Sequence, residues 1–192
     1  MYKKSIRAIL ILVLVTLAGC GSGIPTESFV RENTNLGLIQ TIAVMPFEGG
    51  GRAPRIRELT MTQLLSTEIF DVVDKARVDV FLQQEALPPG APMDVSTLRR
   101  LGETLDVQAV LLGSVEQVAE SRGSSSFLEI TMTLRLVQCD NGQLLWQASG
   151  VGSGYSLADR LFGFTPRDTF EVIMELLDEL FATMYIAEEA DK

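Results

Sequence analysis

The sequence predicts an α/β fold: a single domain built on a mixed sheet of about five strands, with helices on one or both of its faces. Three observations carry this. Thr41 to Phe47, "TIAVMPF", is a short and nearly continuous apolar run, as in a strand buried on both faces. A helix-period stretch and a second short apolar run, "FDVVD", follow it, which is the order of a strand–helix–strand crossover. Farther on, Leu128, Ile130, Met132, Leu134 and Leu136 alternate with Glu129, Thr131, Thr133 and Arg135, the pattern of a strand with one buried and one wet face.

Taken in order, the first strand covers Thr41–Phe47 and stops at Gly49-Gly50-Gly51. After Pro54, Met61, Leu64, Leu65 and Ile69 recur at helical spacing, predicting a helix from Arg55 to Phe70. Phe70–Asp74 is the second strand. The helix that follows, Lys75–Leu87, ends at Pro88-Pro89-Gly90, where proline cannot continue the ladder of hydrogen bonds. A further helix spans Asp94–Leu105, with Leu98, Leu101 and Leu105 on one face. Val107–Val118 is a central strand, Ala119–Ser126 a polar loop, and Phe127–Val137 the alternating strand.

Asn141-Gly142 favours a tight hairpin turn, because both residues tolerate positive φ. Gln143–Ser149 then runs back antiparallel, with Leu145 and Trp146 expected on opposite faces and one of them only half-buried. The last helix begins with Thr165 as N-cap, Pro166 in its first turn and Asp168 at its positive end. Phe170, Ile173, Leu177, Leu180 and Met184 form its apolar stripe, which packing on the domain's own sheet explains. The domain is placed at 41–190, and no internal repeat is evident.

Chemistry is constrained by what the chain lacks. It contains no histidine, which removes the usual general base, the Ser–His pairing and the commonest metal ligand. The two cysteines, Cys20 and Cys139, cannot build a structural zinc site. The carboxylates are spread over helix surfaces as a solvated face rather than paired across a cleft. "FEGGGR", Phe47 to Arg52, follows a strand as phosphate-binding loops do, but lacks Gly-Lys-Ser/Thr and G-x-G-x-x-G spacing, so a turn is favoured. No catalytic, cofactor-binding or metal-binding residue is assigned, and the chain is read as a non-enzyme without a cofactor.

The first 19 residues form a unit of their own. Lys3, Lys4 and Arg7 give a positive start, Ala8–Leu17 an apolar core, and small residues lead to Cys20. That is the layout of an export signal; the core is about ten residues, whereas a membrane-spanning helix needs roughly 20. "LAGC", Leu17 to Cys20, resembles the lipobox of bacterial lipoproteins. The resemblance implies a signal peptide over 1–19, cleavage between Gly19 and Cys20, and lipid attachment at Cys20, with palmitate-type acyl chains as the membrane anchor. Two or three chains anchor stably where one is marginal. Gly21 occupies the position where, in Gram-negative lipoproteins, aspartate retains the protein at the inner membrane; this implies the outer membrane, with the domain facing the periplasm.

The formal charge is −9, and removing Lys3, Lys4 and Arg7 with no acid lowers it to −12. So acidic a body is repelled by nucleic acid and by anionic headgroups, which argues against a nucleic-acid partner. With Cys20 acylated, Cys139 has no intramolecular partner and reads as a packed strand residue. Gly21–Gln40 is polar and aperiodic, so 20–40 is expected to be a flexible, lipidated tether; about 20 flexible residues span roughly 25 Å.

Four segments in order, "IAVMPFE", "LLSTEIFDVVDKARVDVFLQQ", "LGETLDVQAVLLGSV" and "LEITMTLRLVQCDNGQLLWQAS", resemble the curli-secretion-channel family (CsgG-like) and the related amino-terminal domain of the TolB family. The likeness covers about Thr41 to Ser149. It implies an anticodon-binding-like α/β domain that works through protein–protein contacts in the periplasm, among envelope proteins and, as one option, as a homo-oligomer. The channel's subunits each add two membrane-spanning hairpins, which need about 40 residues of alternating sequence. Ala119–Ser126 and Gly150–Asp159 are too short for that, so the expectation is a lipid-anchored periplasmic domain for transport or assembly without a pore. Two alternatives stay open: an oligomeric secretion pore, and a lipoprotein activator of a peptidoglycan synthase.

Overall fold

The computed structural model describes residues 24–32, 34–122, 125–154 and 167–190. In chain order these form β1 (Thr26–Val30), a 3-10 turn (Leu36–Leu38), β2 (Thr41–Val44), β3 (Glu48–Gly49), α1 (Ala53–Thr67), β4 (Asp71–Val72), α2 (Lys75–Gln84), α3 (Val95–Leu105), β5 (Ala109–Arg122), β6 (Ser125–Gln138), β7 (Leu144–Ser153) and α4 (Thr169–Ala190). One mixed sheet runs β1-β7-β6-β5-β2-β4, with β3 paired to β5 beyond the end of β2. β4, β2 and β5 are parallel, and β5, β6, β7 and β1 are successively antiparallel.

The parallel part needs crossovers, and they fall on opposite faces. α1 links β2 to β4 and packs Ile56 and Leu64 into the core shared with α4. α2 and α3 link β4 to β5 and pack Val78, Phe81, Leu98 and Leu101 against Ala43, Met45 and Val110 on the other face. This is why β2 reads as continuous apolar sequence: Ile42, Ala43 and Val44 are all fully buried, pointing alternately into two cores. Among the described residues, the antiparallel part is covered by a helix on one face. Ile130, Met132, Leu134 and Leu136 of β6 meet Leu176, Leu177 and Leu180 of α4, while Thr131, Thr133 and Arg135 stay half-exposed.

The sheet holds seven strands rather than about five. The two additions are β1 and β3, both too short or too polar to show a period. β1 corrects the tether expected over 20–40: Thr26–Val30 pairs with β7 from Thr26↔Gly150 to Val30↔Trp146, and Ile24 packs against the core. The polar loop expected at Ala119–Ser126 is corrected as well. β5 and β6 continue pairing through Arg122↔Ser125, since backbone ladder bonds do not require apolar sequence.

Smaller differences have local causes. α1 stops at Thr67 because Glu68 takes a left-handed conformation, φ 54°, and Asp106 ends α3 in the same way at φ 59°. In the β6–β7 turn only Gly142 has positive φ, 70°; Asn141 instead accepts the Gln143 N–H on its side-chain oxygen at 2.9 Å. Leu145 and Trp146 are both buried, because the register shifts between Leu136 and Val137. Val137 pairs with Leu144, Leu136 with Trp146, and the unpaired Leu145 turns to the same core as its neighbour. Phe170 leaves the expected stripe of α4 and is 47% exposed, whereas Val172, Leu176 and Phe181 join it. Thr165 and Pro166 lie outside the described residues, as do 1–23 with Cys20. Among the described residues, no helix is long and apolar enough to cross a membrane.

Candidate functional site: a groove at the end of β2 and the open sheet face beside it

β2 lies between β4 and β5, with the β2–β4 crossover through α1 on one face and the β4–β5 crossover through α2 and α3 on the other. Crevices outside the carboxyl end of such a strand are where open α/β sheets bind their ligands. Here the crevice is divided into two joined clefts, of about 340 and about 410 Å³, which share Pro46, Leu82, Leu87 and Pro89. α2 ends at Gln84, short of the expected Leu87, and the loop after it, Pro88-Pro89-Gly90, forms their outer wall. Proline rigidity is what keeps this wall standing off the sheet.

Two glycines shape the floor. Gly49, at φ +136°, brings β3 against β5; a Cβ there would lie 2.2 Å from the Val115 carbonyl oxygen. Gly113 leaves room for the Phe47 ring, which a Cβ would meet at 2.6 Å. "FEGGGR" is thus a sheet-pairing segment at its start, since Glu48 and Gly49 pair with Ser114 and Val115.

The charged groups of the groove fall into two sets. Arg57 is buried, and its Nε and Nη2 donate to the Val44 carbonyl at 3.0 and 2.8 Å while Nη1 donates to Asp79 at 2.7 Å. It fastens α1 and α2 to the end of β2 and is fully committed to that role. Lys75 stands 3.7 Å from both Asp79 and Glu58. Arg135 is different: on the floor of the first cleft, beside Leu112 and Val137, its side chain makes no hydrogen bond or ion pair among the described residues.

From Arg135 the surface continues across the face of β5, β6 and β7 that no described helix covers. Ser114, Thr133 and Thr131 line a further shallow cleft between Glu48 and Glu116, and Thr133 and Ser149 share a 2.8 Å hydrogen bond. Phe29 of β1, paired with Gln147, ends this face as a 48% exposed aromatic ring. The face offers hydroxyls, amides, one unpaired guanidinium and a few apolar side chains. That set suits adhesion to another surface.

Among the described residues, two titrating groups are displaced from their ordinary values, and neither lies in the groove. Asp94 is lowered below 3.8 by the Thr97 backbone N–H and then by the Ser96 hydroxyl, as expected of an N-cap. Burial pushes the Cys139 thiol up to about 12; it is free and packed just after β6, against α3. Among the described residues no group of three or more His, Cys, Asp or Glu could hold a metal ion.

Cys20, the one site residue assigned from sequence, lies outside the described residues, four positions before Ile24. The groove was not assigned from sequence. Its walls come from segments around Pro46, Pro89 and Arg135, and only the adjacency of Pro88-Pro89-Gly90 to a helix end pointed to a rigid loop there.

No family model matches the chain, and no curated protein matches it. Among solved structures, the fold is similar to the PelC dodecamer from Paraburkholderia phytofirmans, at 13% identity and a TM-score of 0.54, covering 82% of this chain and 94% of that one. It is also similar to lipoprotein GNA1162 from Neisseria meningitidis, at 18% identity and a TM-score of 0.54, over 80% of this chain and 99% of that one. The LpoB C-terminal domain from Escherichia coli is a looser likeness, at 17% identity and a TM-score of 0.44, over 63% of this chain and 86% of that one. The PelC and GNA1162 likenesses bear out a single α/β domain with a mixed sheet flanked by helices.

Proposed function

We propose that the chain is an outer-membrane lipoprotein, anchored through acyl chains on Cys20, whose α/β domain binds other envelope proteins and performs no catalysis. The observation that carries this reading is the "LAGC" segment at the end of a short apolar core, ahead of a chain with formal charge −12 once the signal is removed. An acidic body has no electrostatic attraction to an anionic leaflet, so the lipid supplies location. The likeness of the fold to a Neisseria lipoprotein is in keeping with it.

Recognition is assigned to the groove at the end of β2 and the open face that continues from Arg135. The resemblance to the curli-channel and TolB families reads as a shared mode of work, contact between envelope proteins, without membrane-spanning hairpins. A ring of several copies is the second reading, favoured by the dodecameric state of PelC; a monomeric mass for the detergent-extracted protein would dispose of it.

The test is Cys20→Ser. The variant is expected to lose the acyl mass in intact mass spectrometry and to leave the membrane fraction, and retention of either removes the reading. In the unaltered protein, a photocrosslinker at Gln147 is expected to capture a protein in intact cells, and one at Thr104, away from the face, is not. Capture at Thr104 alone would move the recognition surface elsewhere.

A further inference from the structure

β1 ends the sheet, and its register shows which of its backbone groups are in use. Arg31 donates its N–H to the Leu145 carbonyl at 2.9 Å, continuing the pairing that runs from Thr26↔Gly150 to Val30↔Trp146. In an antiparallel ladder such bonds fall on alternate residues, so Glu27, Phe29 and Arg31 bond inward to β7. Thr26, Ser28 and Val30 turn their N–H and C=O groups outward. Among the described residues no strand pairs with that side.

Such an edge is a template for another strand, and proteins blunt it with lysine, proline or a bulge. β1, "TESFV", carries none of these. It carries instead Phe29, a ring that is 48% exposed. Glu27 is the one charge within the strand, and Arg31 follows its last residue. Neither makes an ion pair among the described residues; the Arg31 Nε donates to the Leu144 carbonyl at 2.8 Å.

These side chains decide what fits. A second copy pairs antiparallel about a two-fold axis only with outward residues opposite outward residues, which allows centres at Glu27, Ser28 or Phe29. Centring on Glu27 sets two carboxylates against each other, and centring on Ser28 sets Phe29 against Glu27. Centring on Phe29 sets ring against ring, and Glu27 of each copy opposite Arg31 of the other. Ser28 of each copy then exchanges its outward backbone bonds with Val30 of the other. Aromatic pairs and opposite charges across a ladder are favourable, whereas like charges are not.

From this self-complementarity we infer that the chain forms a two-fold dimer through the outer edge of β1, with Phe29 facing Phe29 of the second copy. The partner is a second copy of this chain, whose own edge supplies both the matching hydrogen bonds and the matching charges. Because both copies use the same edge, the pairing closes at two. The dimer uses neither Cys20 nor the groove, so it stands or falls apart from the function proposed above.

The experiment uses the full-length protein extracted in mild detergent. Across the axis Phe29 is a non-hydrogen-bonded pair with Cα atoms about 4.5 Å apart, within the span of a disulfide. Under mild oxidation Phe29→Cys is expected to give several-fold more covalent dimer than Glu27→Cys, which faces Arg31 and not itself. The unaltered protein, with Cys20 and Cys139, sets the background. Glu27→Arg and Arg31→Glu are each expected to lower the dimer fraction in sedimentation several-fold. An equimolar mixture of the two is expected to restore it, because the mixed dimer regains both opposite-charge pairs. Equal disulfide yields at 27 and 29, or no recovery on mixing two folded variants, overturns the pairing. A closed assembly of more than two copies in the unaltered protein overturns it as well. Should Arg31→Glu fail to fold, the disulfide yields decide.

Discussion

The two halves of the sheet meet the demand for burial differently. β4, β2 and β5 are parallel, joined by crossovers on both faces, and their side chains point into two separate cores. β6, β7 and β1 are antiparallel, joined by short connections or none, and have one core face and one wet face. The difference is topological in origin. A parallel connection must travel over a face and covers it, whereas a hairpin turns within the plane of the sheet and covers nothing. The parallel half is thereby insulated, whereas among the described residues the antiparallel half is packed by a helix on one face only.

The comparison makes the antiparallel half depend heavily on α4, and the largest effect is expected there. Trp146 is fully buried, stands 6.3 Å from the Phe181 ring, and donates its indole N–H to the Thr183 hydroxyl at 2.9 Å. Trp146→Ala is expected to cost about 3–5 kcal/mol in urea unfolding. A loss below about 1 kcal/mol would mean that β7 is held by something other than this helix.

In the parallel half the matching clamp is polar. Arg57→Met strips the buried Val44 carbonyl of two donors and Asp79 of its hydrogen-bonded partner, leaving it Lys75 at 3.7 Å. The expected cost is about 2–3 kcal/mol, reduced from that of a fully buried pair because Asp79 is 35% exposed. A neutral result would show that the crossovers alone hold the end of β2.

Asp94 sharpens the comparison through pH, since it caps α3 in the doubly covered half. Its carboxyl is depressed in the folded state, so its contribution is present above the ordinary value of 3.8 and disappears as pH falls through the lowered folded value. The stability advantage of the unaltered protein over Asp94→Asn is therefore expected to be constant at neutral pH and to narrow in acid. An advantage that widened below pH 3.8 would contradict the cap.

The smallest effect is expected on the open face. Thr133→Val removes a half-exposed hydroxyl and its bond to Ser149, and is expected to shift stability by no more than about 0.5 kcal/mol. A loss above 1 kcal/mol would mean that this face carries structural load and is not free for recognition.

Much of this was legible in the sequence because burial leaves a period. The run Ile42–Val44, the alternation from Ile130 to Leu136 and the stripe of α4 around Ile173, Leu177 and Leu180 each record which sides are dry. Asp94 and Gly142 record a cap and a turn by local chemistry. The groove was not legible, because no short window contains Pro46, Pro89 and Arg135 together. Cys20 was assigned from a motif and not from packing, and it lies outside the described residues.

What the sequence determined by itself, then, are the local matters: the class of fold, the order of most elements, and the wet and dry sides of the long strands. Only the tertiary structure decided that Thr26–Val30 is an edge strand, that 119–122 and 125–126 pair as a ribbon, and that Leu145 and Trp146 share one core. Each of these rests on a partner across the sheet. Backbone ladder bonds do not depend on side-chain polarity, so a polar segment carries no sign of whether a neighbouring strand is waiting for it.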